Sequence, residues 1–126
     1  MRKYTLLLLL TALLLPVVAH AQDDSEALLE EAQALRSDGD LDAAAAMLDD
    51  ALERLSADDP FYQSLHLERH FHLRMAHIRR QLNEGDVAGA RETHTQVRRF
   101  LRGHPQRSRF MSDVDRYDLV IRARER

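Results

Sequence analysis

Two short stretches decide how this chain is read: LRSDGDLDAA, Leu35–Ala44, and LNEGDVAGA, Leu82–Ala90. Each runs from a Leu through polar residues to Gly-Asp, then to an aliphatic residue and small ones. The Gly suits a left-handed helix end, and the Asp that follows suits the N-cap of a new helix. An acidic calcium loop is the competing reading of the first stretch, because Asp38, Asp40 and Asp42 alternate. Position twelve of such a loop, counted from Asp38, holds Asp49 where a Glu is required. In the second stretch only Glu84 and Asp86 remain. The shared element is therefore a helix-to-helix turn written twice.

The segments on either side fit that reading. Ala27, Leu28, Ala32 and Leu35 recur at helical spacing over about 25–36. Leu41, Ala44, Ala45, Leu48, Ala51, Leu52 and Leu55 form one apolar stripe after Asp40, the expected cap. A third helix is predicted from Pro60 to about Asn83, with Leu67, Phe71, Met75, Ile78 and Leu82 on its main face. A fourth covers about 87–102, ended by Gly103 and Pro105. The last is predicted over about 112–124, with Ser112 as N-cap and Val114, Tyr117, Val120 and Ile121 on one side. No segment alternates long enough to argue for a strand.

Gly39 and Gly85 are 46 positions apart, and Pro60 and Pro105 are 45 apart. The expected fold is all-α: a short α-solenoid of two antiparallel helical hairpins, about 25–56 and 60–102, plus a capping helix at about 112–124. A hairpin cannot cover its own apolar face, so stacking a second on it completes the core.

The first unit resembles a tetratricopeptide repeat (TPR). Leu28, Ala32, Leu35, Gly39, Leu41, Ala44, Leu48 and Ala51 follow that family's large and small positions. Leu replaces its aromatics. Ile78, Leu82, Gly85, Val87, Ala90 and Val97 follow the pattern more loosely, at a period longer than the roughly 34 residues of the family. The resemblance implies a groove, lined by the first helix of each hairpin, that holds a partner peptide or helix. The surface it implies comprises Leu29, Gln33 and Arg36 on the first unit, and Tyr62, Arg69, Leu73, Arg80 and Asn83 on the second. Arg69 and Arg80 with Tyr62 suit a carboxylate-bearing peptide, because guanidinium forks match carboxylates. The competing reading packs this stripe on the first hairpin, with both arginines meeting its acids.

The chain opens with Arg2 and Lys3, an apolar run from Leu6 to Leu15, Pro16, and Ala19-His20-Ala21. That is the pattern of a secretory signal peptide over 1–21, cleaved before Gln22. An uncleaved anchor is the alternative, but the apolar run is short for a span of about 20 residues and Pro16 ends it. The expected product, 22–126, is one domain with no stable membrane span, exported to the periplasm or beyond. It has no Cys, so neither disulfides nor thiolate zinc support it.

Charge is polarised. Residues 22–60 hold 13 acids and two arginines, while 61–126 hold 14 arginines and eight acids. The basic half does not imply nucleic acid in an exported chain whose net charge is negative. The two halves are expected to attract each other, within one chain or between copies.

His66, His70 and His77 share one predicted stripe, at a spacing that suits Zn²⁺ or Cu²⁺. No acid joins them and Arg74 lies beside them, so no metal or other cofactor is expected. No nucleophile motif, Gly-rich phosphate loop or H-E-x-x-H is present. The expected function is a non-enzymatic interaction module. A metal-binding protein and a self-associating structural protein are its alternatives.

Overall fold

Both repeated stretches fold into the same turn, with equivalent backbone hydrogen bonds. In the computed structural model, which describes residues 24–126, Gly39 N–H donates to Arg36 O at 3.1 Å and Asp40 N–H to Leu35 O at 2.9 Å. At the second turn Gly85 N–H donates to Leu82 O at 3.2 Å and Asp86 N–H to Gln81 O at 2.8 Å. This pair of bonds is the Schellman motif, which needs a left-handed residue at its centre. The two glycines supply it, with φ of +86° and +79°. Asp40 O and Asp86 O then accept from Ala44 and Ala90 N–H, each at 3.0 Å, so each Asp ends one motif and opens the next helix.

The resulting elements are α1 (24–38), α2 (Leu41–Arg54), α3 (Tyr62–Leu67), a π-helical segment (Glu68–His72), α4 (Leu73–Asn83), α5 (Val87–Leu101) and α6 (Arg107–Arg124). The segments from Tyr62 to Asn83 run on without a break, so the described residues form five helices and no strand. The fold is all-α, and the helices pack against one another. None of them is long and apolar enough to cross a membrane. The expected leader, 1–21, lies outside the described residues.

The long helix 62–83 stands between two cores. Leu65 and Leu73 face Ala32, Leu41, Ala44 and Leu48 of α1 and α2. Phe71, Met75, Ile78 and Leu82 face Ala90, Val97 and Leu101 of α5 and Phe110, Val114 and Ile121 of α6. At the far end of α4, Arg124 Nη1 donates to Leu82 O at 2.6 Å, satisfying a terminal carbonyl.

Three expectations need correction. α6 starts at Arg107, not near Ser112, because Phe110 is buried in its second turn against Phe71, ring centroids 4.5 Å apart. Burying an aromatic ring outweighs the cap preference of Ser112. The third helix starts at Tyr62 rather than Pro60. Asp59 holds the turn before it, its Oδ1 accepting from Phe61 N–H at 2.9 Å and its carbonyl from Tyr62 N–H at 3.0 Å. Asp40 makes no side-chain cap bond, whereas Asp86 does, accepting from Gly89 N–H at 2.9 Å. A Cβ on Gly89 would overlap the Asp86 carboxylate. The equivalent third position of α2 is Ala43.

Candidate functional site

The π-helical segment opens on a buried carboxylate, that of Glu68. Glu68 is 1% exposed. Arg36 of α1 closes on it with two nitrogens: Nε lies 2.9 and 3.2 Å from the two carboxylate oxygens, and Nη2 lies 3.0 Å from one. Such forks are the strongest ion-pair geometry available to a carboxylate. The pair joins α1 to the long helix and fixes one wall of a groove.

That groove, about 350 Å³, runs between α1, the long helix and α6. Phe71, Met75 and Phe110 form its floor, and all three are largely buried. Ala76 and His72 line its middle. His72 is held below the ordinary histidine range, chiefly by burial and further by Arg36 and Arg109, with Glu68 opposing. Burial therefore favours its neutral form. Its ring stands edge-on to Phe110, centroids 5.9 Å apart. The rim is polar. Arg79 Nε donates to Tyr117 Oη at 3.2 Å, and Arg116 lies 3.5 Å from Asp113. Both arginines are exposed, with donors to spare.

Of the residues expected to line a groove, Arg36 lines this one, while Arg69 and Leu73 line a separate recess of about 280 Å³ between α2, the long helix and α5. Leu73 is 4% exposed and lies in the core against α2. Leu29 is half-buried on the same core. Arg69 meets Asp49 of α2, Nε to Oδ1 2.7 Å. Arg80 is half-buried and makes no ion pair with another described residue. Tyr62 stacks on His66, centroids 6.0 Å apart. Gln33 and Asn83 are exposed, on separate helices. A π turn advances less per residue than an α turn, and Tyr62, which precedes Glu68–His72, does not line the recess that Arg69 and Leu73 share.

The histidines also separate. His66 and His70 sit 4.5 Å apart, both against Phe100 of α5, and His104 closes on that ring from the α5–α6 corner at 5.3 Å. His77 instead lies in a recess with Arg74 and Gln96. Among the described residues no three His, Asp or Glu side chains converge as a metal site. His70 is pushed down to about 4, by burial first and then by His66, Arg74 and Arg69.

Sequence reasoning missed His72, Arg79, Phe110, Arg116 and Tyr117 as groove residues. Phe110 was the available signal: Phe110, Val114, Tyr117 and Ile121 recur at steps of 4, 3 and 4, one turn longer than the predicted stripe. No family of known proteins matches the chain, and no curated protein or solved structure matches it.

Proposed function

We propose that this chain is a non-enzymatic protein–protein interaction module of TPR-like, solenoidal build, exported to the bacterial periplasm or envelope. Its partner is a peptide or helix carrying carboxylates, held in the groove between α1, the long helix and α6. The observation that carries this reading is the combination of an apolar floor at Phe71, Met75 and Phe110 with a rim of exposed Arg79 and Arg116. Interfaces of this kind draw affinity from aromatic and arginine contacts around a desolvated centre. The first helices of the two hairpins and α6 frame the groove; the TPR resemblance implies a groove lined by the first helices alone.

Self-association through opposite charge has less support. Arg69–Asp49 already pairs the basic half with the acidic half within one chain.

The test is site-specific photo-crosslinking of the full chain, expressed with its leader in a bacterial host. A photoreactive residue at Ala76 in the groove is compared with one at Ala43, exposed on α2. Adducts formed from Ala76 and reduced by Arg79→Glu support the reading. Equal adducts from both positions, or none from Ala76, sink it.

A further inference from the structure

A second charged feature lies away from the groove. Between Glu92 and Asp113 the chain carries five arginines and no acid: Arg98, Arg99, Arg102, Arg107 and Arg109. All five are exposed. The negative end of the α5 dipole accounts for one or two cations in its last turn. It does not account for three converging on one recess, where Arg98 and Arg102 repel each other at i, i+4.

That recess, about 240 Å³, is walled by Arg91, Arg98, Arg99 and Arg102. Arg91 is already neutralised, its guanidinium bonded to Asp118 and Glu125 of α6. No side-chain acceptor among the described residues meets the other three. His94 forms the floor. It is 1% exposed, its Nε2 lies 2.9 Å from Val114 O, and its buried Nδ1 has no partner among the described residues. Arg98, Arg99 and Arg102 therefore stand unpaired around the recess, with the buried His94 at its base.

We propose that this recess on α5 binds a phosphoryl oxyanion, either free phosphate or diphosphate or the phosphate of a lipid headgroup. A carboxylate occupies one guanidinium fork. A phosphoryl group spreads up to two charges over three strong acceptor oxygens and engages several forks together. Burying the anion among Arg98, Arg99 and Arg102 also relieves their mutual repulsion.

The test uses the whole chain with two kinds of probe at low ionic strength. One arm is calorimetric titration with inorganic phosphate and with pyrophosphate. The other is flotation with vesicles of equal parts phosphatidylglycerol and phosphatidylcholine, against pure phosphatidylcholine. Saturable binding to at least one phosphate-bearing probe is expected, and none to the neutral vesicles. Arg98→Ala/Arg102→Ala should weaken it about ten-fold or more, the scale of losing one charge-assisted hydrogen bond. Arg98→Lys/Arg102→Lys keeps the charge without the fork and should fall between. Arg107→Ala/Arg109→Ala, which do not line the recess, should lose less than half as much as the Arg98/Arg102 variant, and the difference should widen when the titration is repeated at about 0.15 M salt, where charge outside the recess is screened. Pyrophosphate binding without vesicle binding assigns a free ligand, and vesicle binding competed away by pyrophosphate assigns a headgroup. Silence from every phosphate probe overturns the proposal. So does an equal loss in the Arg107/Arg109 variant, or binding of polyglutamate alone.

Discussion

Arg36 and Glu68, 32 positions apart, form the fork that ties α1 to the long helix, with the Glu68 side chain 2% exposed and that of Arg36 30% exposed. A buried carboxylate is tolerable only while its partner is present, and removing one member of such a pair leaves an uncompensated charge. Arg36→Met should therefore destabilise the protein by about 3 kcal/mol, the lower end for buried pairs because Arg36 keeps some solvent. Arg36→Met/Glu68→Leu should recover most of that loss. Urea denaturation of both variants checks this. A double variant as unstable as the single one would show that the pair matters through shape rather than charge.

The two Gly-Asp turns share a backbone and differ in their caps, which gives a second comparison. Asp86→Ala should cost about 1 kcal/mol, the usual value of a side-chain N-cap. Asp40→Ala should cost only a few tenths, because no cap bond exists to lose. In the background Gly89→Ala, whose methyl group displaces the Asp86 carboxylate, Asp86→Ala should become nearly neutral. Equilibrium unfolding of this double-mutant cycle measures the coupling. Additive effects would contradict the overlap between a Gly89 methyl and the Asp86 carboxylate.

His70 makes stability depend on pH in a defined direction. In the unfolded chain it takes up a proton near its ordinary 6.5, and in the folded chain only near about 4. Between those values the unfolded state binds more protons, so its share of stability is complete above 6.5 and lost as pH falls toward 4. Burial is the main cause, His66, Arg74 and Arg69 add to it, and Asp49 opposes. Lowered values at His66 and His72 act in the same sense. Tm should fall between about pH 7 and about pH 4.5, and His70→Gln should fall less over the same window. A variant with the wild-type pH profile would remove His70 as a contributor.

Local features of the fold are legible in the sequence, and the site is not. Gly39 and Gly85 announce the two turns because positive φ leaves few alternatives to glycine. The stripes of α2 and α5 read correctly because both wind uniformly. The main stripe of the long helix, Leu67, Phe71, Met75, Ile78 and Leu82, also reads correctly and packs on α5 and α6, but no residue type announces the π turn within it. The charge of Glu68 offers no hint of burial without Arg36, and that partner is fixed by tertiary packing alone. Arg79 and Tyr117 meet for the same reason, across 38 positions of chain.

The start of α6 supplies the last test. If the helix began at Ser112, Phe110 would lie in a loop, where truncation costs little, and Ser112→Ala would remove a cap worth about 1 kcal/mol. The structure reverses both values. Phe110 is 8% exposed and packs on Phe71. Phe110→Ala should therefore cost roughly 3 kcal/mol or more, the lower end for deleting a buried ring. Ser112 is exposed inside the helix. Ser112→Ala should stay within about 0.5 kcal/mol of wild type, as surface substitutions away from caps and cores do. Leu119, at 69% exposure, lies on the outer face of the same helix. Leu119→Ala serves as a control and should also be near neutral. Urea midpoints of the three variants rank the two accounts directly. Because Phe110 is also part of the groove floor, Phe110→Ala should weaken partner crosslinking from Ala76, and Leu119→Ala should leave it intact.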